Sequence, residues 1–303
     1  MKGDTKPIAV VTGASRGIGA KTARWLALNG WRVAICGRDS AKLSEVGIDI
    51  QNHTDAQVLS RVLDISRSEE VVTFADEVFE EWGNVSTLIC NAAILGPIGS
   101  ISSLDPSKMK EAVDINVIGT FNSIWAFSKR LFSQDNSRVV VVAGGGLGGT
   151  SPLGGAYGYV PSKAYCVLLV ELLAREFATH NAAICSIAPG LVATDFMKSA
   201  LSESSTGIPI DLVEAAQAQQ RSANDDDVLD PYFRLLSRFL SEEGVSMNGR
   251  FLSSRWDQCV NLAEMTERSP DSMFRLRRID DTLFIPAHRQ KPSNQELEDS
   301  GQI

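Results

Sequence analysis

Apolar runs of β-type composition alternate with segments of helical spacing along most of the chain. The first run, at 8–11, is followed by a helical pattern that places Ile18, Thr22, Trp25 and Leu26 on one face. Further strands are predicted at 32–36, 86–93, 138–142, 183–188 and 249–253, and another is predicted to end at 62–66. Further helices are predicted at 69–82, 104–130, 159–178 and 233–240. This alternation predicts an α/β fold in which a doubly wound parallel sheet lies between two layers of helices.

A glycine-rich turn joins the first strand to the first helix and has the sequence Thr12-Gly13-Ala14-Ser15-Arg16-Gly17-Ile18-Gly19. A helix N-terminus presents unpaired N–H groups and the positive end of the helix dipole, which together favour a bound pyrophosphate. Gly13 permits the tight turn, Gly17 lets a phosphate approach the backbone, and Gly19 lets the helix pack on the strand. The turn is predicted to bind a dinucleotide, and the alternative is a tight turn without a ligand.

The residues after the second strand bear on the choice between NAD and NADP. An acidic side chain there would accept hydrogen bonds from the 2′-hydroxyl of the adenosine ribose and would repel a 2′-phosphate. This chain has Gly37 and then Arg38, and Arg16 lies within the glycine-rich turn. Two guanidinium groups can hold a 2′-phosphate by charge-assisted hydrogen bonds, which favours NADP. The alternative is two solvated surface arginines.

Charge and composition argue against several other classes of protein. The 303 residues carry a formal net charge of -8, which argues against a nucleic-acid or anionic-membrane partner. No apolar run approaches the roughly 20 residues of a membrane helix, and the polar N-terminus predicts no signal peptide. The five cysteines are scattered without CxxC spacing, so they predict buried thiols in a reducing compartment and no metal site. We expect a cytoplasmic protein.

Polar residues follow the predicted strands, where a doubly wound sheet binds its ligand. Asp64 and Asn91 occupy such positions, and Asp64 would suit the adenine amino group, although a turn-capping role is an equal alternative. Tyr159 and Lys163 are four residues apart, so they share one helix face if the helix has begun there. Pro161 requires that the helix begin within a residue or two of Tyr159.

Six motifs in order resemble those of the short-chain dehydrogenase/reductase family, over roughly residues 5 to 255. They are the TGxxxGxG-like turn at 12–19, Asp64, Cys90-Asn91-Ala92-Ala93 in place of NNAG, Asn116 in Asn-Val-Ile-Gly, the YxxxK pattern of Tyr159 and Lys163, and Pro189-Gly190 with Thr194. Two of the four positions of the NNAG-like motif differ from the family pattern. Each motif alone is weak, whereas the ordered set is a strong signature.

The resemblance implies a single Rossmann-type domain at 1–255 with a short C-terminal extension at 256–303. It also implies an oxidoreductase that transfers hydride between the nicotinamide and a carbonyl or secondary alcohol of a small metabolite, and the two arginines favour NADPH as its cofactor. The cofactor-binding residues that it implies are Thr12, Gly13, Ser15, Arg16, Gly17, Ile18, Gly19, Arg38, Asp64, Ile65, Asn91, Ala92, Tyr159, Lys163, Pro189, Gly190 and Thr194.

The catalytic residues that the resemblance implies are Tyr159, Lys163 and Asn116. A phenol with a pKa of about 10 is a poor acid or base at neutral pH, but a nearby ammonium group and a positively charged nicotinamide would lower that pKa. Tyr159 would then protonate a carbonyl oxygen as hydride arrives at its carbon. Lys163 would also hold the ribose hydroxyls, and Asn116 would position a water that supplies protons to Lys163. The alternative is a packed tyrosine and a solvated lysine.

One position departs from the family pattern. The catalytic serine, which hydrogen-bonds the substrate carbonyl, is expected at about Gly144 or Gly146, and neither carries a hydroxyl. The loop is about two residues longer than usual, and Thr150 and Ser151 are the nearest hydroxyls downstream. Loss of one donor to a developing oxyanion costs on the order of 100- to 1,000-fold in rate. Either a loop hydroxyl, a backbone N–H or the substrate replaces the serine, or catalysis is impaired.

Other functions and the quaternary structure stay open at this point. A cofactor-binding regulator or scaffold would explain the missing serine, and an epimerase or dehydratase acting on a sugar would use the same Tyr159 and Lys163. A homodimer or homotetramer is expected by family analogy, through the helices at 104–130 and 159–178. Residues 198–227 correspond to the family's lid over the substrate. The extension is expected to contain a helix at 257–267, a strand at 274–279 and a disordered tail from residue 290.

Overall fold

A computed structural model describes residues 6–144, 147, 155–190, 228–255 and 257 of the chain. The strands of its sheet are β1 (Ile8–Thr12), β2 (Arg32–Gly37), β3 (Val58–Val62), β4 (Thr87–Cys90), β5 (Arg138–Val142), β6 (Ala183–Ala188) and β7 (Phe251–Ser253). The α-helices of the described residues are α1 (Gly17–Leu28), α2 (Ser40–His53), α3 (Ser68–Trp82), α4 (Pro106–Val113), α5 (Thr120–Leu131), α6 (Tyr159–Thr179) and α7 (Asp230–Leu240). A π-helical segment, Asp114–Gly119, joins α4 to α5, and 3₁₀ segments lie at Ile101–Ser103 and Glu242–Met247.

The described strands form one parallel sheet in the order β3-β2-β1-β4-β5-β6-β7. On β1, Ile8 pairs with Arg32 of β2, and Ala9 pairs with Thr87 of β4. The chain therefore moves outward from β1 to β3 and then returns to the other side of β1. This reversal opens a crevice at the carboxyl ends of β1 and β4, where doubly wound sheets bind ligands. The predicted fold class is confirmed.

The sheet separates two hydrophobic cores, one on each face. Because successive side chains of a strand point to opposite faces, Ile8 and Val10 belong to one core while Ala9 and Val11 belong to the other. Helices α3, α5 and α6 cover the first core, and α1, α2 and α7 cover the second. Strands that are buried on both faces read as continuous apolar runs, which explains the pattern at the sequence level.

Several element boundaries differ from the sequence-based prediction, which also lacks helix α2, and two of the differences bear on the site. The third strand is Val58–Val62, so Asp64 lies in the loop beyond it. The helical region predicted at 104–130 begins at Pro106, because Asp105 caps α4 by accepting a hydrogen bond from a backbone N–H of the first turn and proline suits the first helical position. The π-helical segment then interrupts the regular i→i−4 hydrogen bonds between α4 and α5.

Some predicted features lie outside the described residues. They are Gly146, Thr150, Ser151, Thr194, the lid segment at 198–227, and the predicted helix, strand and tail of the extension beyond residue 257. In the part of the chain that is described, no helix is long and apolar enough to cross a membrane.

Candidate active site

The glycine-rich turn leads directly from β1 into α1. Gly13 and Gly17 have φ angles of 66° and 58°, which residues with a side chain rarely adopt. Arg16 is the N-cap residue of α1, yet its side chain makes no capping hydrogen bond and the first turn contains no acidic residue. The N–H groups at this helix end are therefore open to an anion, which fits a pyrophosphate.

The end of β4 is tied to this turn by hydrogen bonds. The side-chain amide Nδ2 of Asn91 donates to the carbonyl oxygens of Thr12 and Gly13 at 3.0 and 3.1 Å. The Thr12 hydroxyl oxygen accepts from the backbone N–H groups of Asn91 and Ala92 at 3.1 and 3.2 Å. Gly19 lies against the same group, since a Cβ there would collide with the Asn91 side chain. Asn91 thus holds the turn in shape at the mouth of the crevice.

Charged side chains meet beyond the carboxyl ends of β2 and β3. Arg38 directly follows β2, and its Nη1 lies 3.1 Å from Oε1 of Glu111 on α4 and 3.8 Å from Oδ2 of Asp64. Oδ1 of Asp64 accepts hydrogen bonds from the N–H and the hydroxyl of Ser66 at 2.9 and 2.8 Å. Asp64 therefore makes the turn-capping contacts of the alternative interpretation, while its second oxygen lies toward Arg38.

Two glycines permit close packing at this end of the crevice. A Cβ on Gly37 would lie 3.2 Å from the hydroxyl oxygen of Ser15, and a Cβ on Gly119 would lie 2.5 Å from Cδ1 of Ile65. Ser15 therefore covers the end of β2, and Ile65 packs against the π-helical segment. Arg16 is exposed to solvent. The structure thus places Ser15 against the end of β2 and Arg38 beside Asp64.

Asn116 lies in the π-helical segment and is fully buried. Its Oδ1 accepts from the backbone N–H of Ile94 at 2.8 Å, and its Nδ2 donates to the carbonyl oxygen of the same residue at 2.8 Å. Nδ2 also donates to the hydroxyl of Ser162 at 3.0 Å, and that hydroxyl donates to the carbonyl oxygen of Tyr159 at 2.6 Å. The Asn116 side chain therefore braces the loop after β4 against the first turn of α6.

The backbone carbonyl of Asn116 has partners of its own. It accepts hydrogen bonds from the Thr120 hydroxyl at 2.8 Å and from the Cys166 thiol at 3.4 Å. The ammonium group of Lys163 donates elsewhere, to the carbonyl oxygen of Val142 at 2.8 Å. A water held between Asn116 and Lys163 stays a prediction, and the contacts of Asn116 are those of a positioning residue.

Tyr159 and Lys163 occupy the first turns of α6. The helix begins at Tyr159, so Pro161 lies where its missing N–H costs no helical hydrogen bond. Nζ of Lys163 lies 5.6 Å from the centroid of the Tyr159 ring, which places the two side chains on one face. Lys163 is only 4% exposed, so the alternative of a solvated lysine is wrong.

Removal from water shifts the pKa of both groups. Burial raises the pKa of the Tyr159 phenol, and the neighbouring Cys166 thiol adds to that rise. Burial lowers the pKa of the Lys163 ammonium. The protein alone therefore does not lower the pKa of Tyr159 as the sequence analysis expects, and the positively charged nicotinamide would have to contribute. Without cofactor, the phenol is protonated at neutral pH, the form that can donate a proton to a carbonyl oxygen.

Gly144, the second residue beyond β5, bears on the departure from the family pattern. A Cβ on Gly144 would lie 2.8 Å from Cε1 and Cζ of Tyr159, and closer still to its hydroxyl oxygen. Carbon atoms in good contact are about 3.5–4.0 Å apart. The Tyr159 phenol therefore occupies the space that a side chain at position 144 would need.

Four residues of this region escaped the sequence-based prediction. They are Ser162, Thr120, Cys166 and Glu111. Helical spacing offers a signal for two of them, since Thr120 follows Asn116 by four residues and Cys166 follows Lys163 by three. No local signal marks Glu111, because its contact with Arg38 joins positions 73 residues apart.

The described residues fit a dinucleotide better than a metal ion. They contain no group of three or more His, Cys, Asp or Glu side chains that could hold a metal. An uncapped helix end, two glycines with positive φ and a buried lysine beside a tyrosine instead form a crevice for a phosphate-containing cofactor and a polar reacting group.

Comparison with known proteins agrees with this geometry. The family model for short chain dehydrogenase matches residues 7–205. An uncharacterized oxidoreductase of Staphylococcus saprophyticus is 32% identical over 187 residues, covering 62% of this chain and 79% of that protein. The 3-oxoacyl-(acyl-carrier-protein) reductase of Staphylococcus epidermidis is 26% identical over 249 residues, covering 80% and 97%. The crystal structure of levodione reductase gives a TM-score of 0.71 at 23% identity, covering 82% and 96%. The chain therefore belongs to the short chain dehydrogenase family, whose members are oxidoreductases that bind a nicotinamide cofactor and act on small molecules.

Proposed function

We propose that this protein is an NADPH-dependent oxidoreductase that transfers hydride between the nicotinamide and a carbonyl or secondary alcohol of a small metabolite. The observation that carries the proposal is Lys163, buried beside Tyr159 on the same carboxyl edge of the sheet as the glycine-rich turn. Burial of an ammonium group costs free energy. A lysine held in this way, with no carboxylate among its hydrogen-bond acceptors in the described residues, favours a catalytic role.

The chain's own residues can manage the proton of such a reaction. The bound nicotinamide supplies the hydride during reduction and accepts it during oxidation. In reduction, the phenol oxygen of Tyr159 gives its proton to the carbonyl oxygen of the substrate, and in oxidation it takes the proton back. The Lys163 ammonium stabilises the phenolate that remains, and burial strengthens this effect because water does not screen it.

The preference for NADPH is supported by local charge. Arg38 follows β2, Arg16 is exposed in the glycine-rich turn, and Gly37 carries no carboxylate that would repel a 2′-phosphate. Solved structures of this fold include an NAD+-bound xylitol dehydrogenase and an Escherichia coli short chain dehydrogenase complexed with NADPH. The fold accommodates either cofactor, so the side chains around the adenosine ribose set the preference.

A cofactor-binding regulator or scaffold is the second candidate function. It is favoured by Gly144, since glycine stands near the position where the family pattern has the serine that hydrogen-bonds the substrate carbonyl. Epimerase or dehydratase chemistry on a sugar would instead use the Tyr159–Lys163 pair and form product without net consumption of NADPH. The reductases among the relatives make carbonyl compounds the first substrates to test, beginning with levodione and a 3-oxoacyl-acyl-carrier protein.

Two measurements test the proposed function. Titration of the purified protein with NADPH and with NADH comes first, because it requires no substrate, and we expect tighter binding of NADPH. Tyr159→Phe should then keep its affinity for NADPH and lose turnover by about 100- to 10,000-fold. Tyr165→Phe is the matched control, since Tyr165 is an exposed tyrosine on the same helix. Full turnover in Tyr159→Phe would show that the catalytic assignment is wrong, and binding of neither dinucleotide would favour the scaffold.

We also propose that residues 1–255 form the catalytic domain and residues 256–303 an extension. Copies of the chain are proposed to associate through the π-helical segment, α5 and α6. Large apolar side chains are exposed at intervals of three and four residues on these helices, so each set forms one stripe. They are Ile118, Phe121 and Trp125 on the first two elements, and Tyr165, Leu168 and Leu172 on α6. Exposed apolar stripes of this kind favour a protein partner.

A further inference from the structure

The ion pair between Arg38 and Glu111 joins two segments that are distant in sequence. Arg38 follows β2, whereas Glu111 lies on α4, and the separation is 73 residues. Nη1 of Arg38 is 3.1 Å from Oε1 of Glu111 and 3.8 Å from Oδ2 of Asp64. The guanidinium group predicted to receive a 2′-phosphate therefore already lies between two carboxylates.

The packing of α4 holds Glu111 in this place. Ala112, its neighbour in the helix, is fully buried. A Cβ on Gly96 would lie 2.8 Å from the Cβ of Ala112, and a Cβ on Gly158 would lie 3.1 Å from it. The helix is thus docked against the loop after β4 and the start of α6, and the exposed side of α4 presents Glu111 to Arg38.

We propose that Glu111 is a specificity-determining residue that pairs with Arg38 in the protein without cofactor and competes with the 2′-phosphate of NADPH for that guanidinium group. The inference rests on the proposed function, because it takes Arg38 to meet the adenosine ribose. Glu111 and a 2′-phosphate would need the same guanidinium group, so the phosphate binds Arg38 only after Glu111 withdraws from it. The uncharged ribose of NADH meets no such competition. Glu111 therefore reduces the preference for NADPH that Arg38 provides.

The size of the effect follows from exposure. The side chains of Arg38 and Glu111 are 49% and 52% exposed, so solvent screens their attraction. Ion pairs of this kind change an affinity by about 1.4- to 5-fold. The effect should shrink at high salt, because exposed charges are screened by ions.

The test compares Glu111→Gln, Arg38→Gln and the double variant by calorimetric titration with NADPH, NADH and adenosine 2′,5′-bisphosphate. Glu111→Gln should tighten the binding of NADPH and of the bisphosphate by about 1.4- to 5-fold and leave NADH unchanged. The gain should disappear in the Arg38→Gln background, since no guanidinium remains to be released. Glu80→Gln removes an exposed carboxylate from α3 and serves as the control for net charge.

Four results would overturn the inference. The first is an unchanged ratio of NADPH to NADH affinity in Glu111→Gln, and the second is an equal gain in NADPH affinity with and without Arg38. The third is an equal gain in NADPH affinity in Glu80→Gln. The fourth is weaker NADH binding in Glu111→Gln, which would assign Glu111 to the ribose hydroxyls. Each of these leaves the proposed function intact if the parent protein binds NADPH and turns over in a Tyr159-dependent manner. A parent protein that binds neither dinucleotide would overturn the inference and the proposed cofactor together.

Discussion

Replacing Gly144 by serine restores the residue type that the family pattern has beyond the fifth strand. If the only effect of the glycine were the absence of a hydroxyl group, the substitution would add a hydrogen-bond donor for the substrate carbonyl and raise turnover. The structure predicts the opposite result, because the Tyr159 phenol lies where the new side chain would go. We expect Gly144→Ser and Gly144→Ala both to lower turnover.

The magnitude follows from the distances around Tyr159. A Cβ at position 144 would lie 2.8 Å from two ring carbons, whereas carbon atoms in good contact are about 3.5–4.0 Å apart. The ring must therefore withdraw by about 1 Å. Its backbone is anchored, since the Tyr159 N–H donates to the Ala156 carbonyl at 3.2 Å and its carbonyl accepts from Ser162 at 2.6 Å. The phenol itself moves, and a displacement of about 1 Å at a reacting group costs about 100-fold in rate.

The assay follows the oxidation of NADPH with whichever carbonyl substrate the parent protein reduces. We expect kcat to fall by about 100-fold in both variants, with NADPH binding retained and thermal stability lower than in the parent, because the added Cβ overpacks the space beside Tyr159. Gly47→Ala is the matched control, because it adds a Cβ on α2, far along the chain from the site, beside the rotatable hydroxyl of Ser60 at 3.0 Å. Higher turnover in Gly144→Ser would refute the steric argument, and so would unchanged turnover in Gly144→Ala.

Two further predictions concern assembly and pH. Leu172→Glu places a charge on the most exposed of the apolar side chains of α6, at 70% exposure, and should dissociate an oligomer to monomers in light scattering, whereas Ile48→Glu, at a 54% exposed site on α2, should not. Dissociation by the α2 variant alone would place the interface elsewhere. Because burial raises the pKa of Tyr159, the phenol stays protonated as the pH rises toward its ordinary value of about 10. The rate of carbonyl reduction should therefore stay level from neutral pH into the alkaline range, while alcohol oxidation, which needs the phenolate, should rise with pH. A reduction rate that falls just above neutral pH in kcat/KM profiles would contradict the assignment of Tyr159 as the acid.

The candidate site was predictable where its residues carry a local signature. The glycine-rich turn could be recognised because Gly13 and Gly17 adopt backbone angles that other residues avoid, and that requirement is visible in the sequence. Tyr159 and Lys163 could be paired because residues four apart share a helix face. Asn116 became a candidate only through the family resemblance, and its hydrogen bonds to Ile94 and Ser162 have no counterpart in a local pattern.

The amino-acid sequence alone determined the fold class and the family, because strand and helix periodicity and glycine-dependent turns are short-range properties of the chain. Only the tertiary structure decided that Lys163 is buried against the carbonyl of Val142, that the Tyr159 phenol fills the space beside Gly144, and that Glu111 meets Arg38. These contacts depend on where the ends of separate strands and helices come together. Burial depends on how these distant segments pack together. Because burial decides how strongly water screens a charge, the strength of each charge interaction also cannot be read from a single residue.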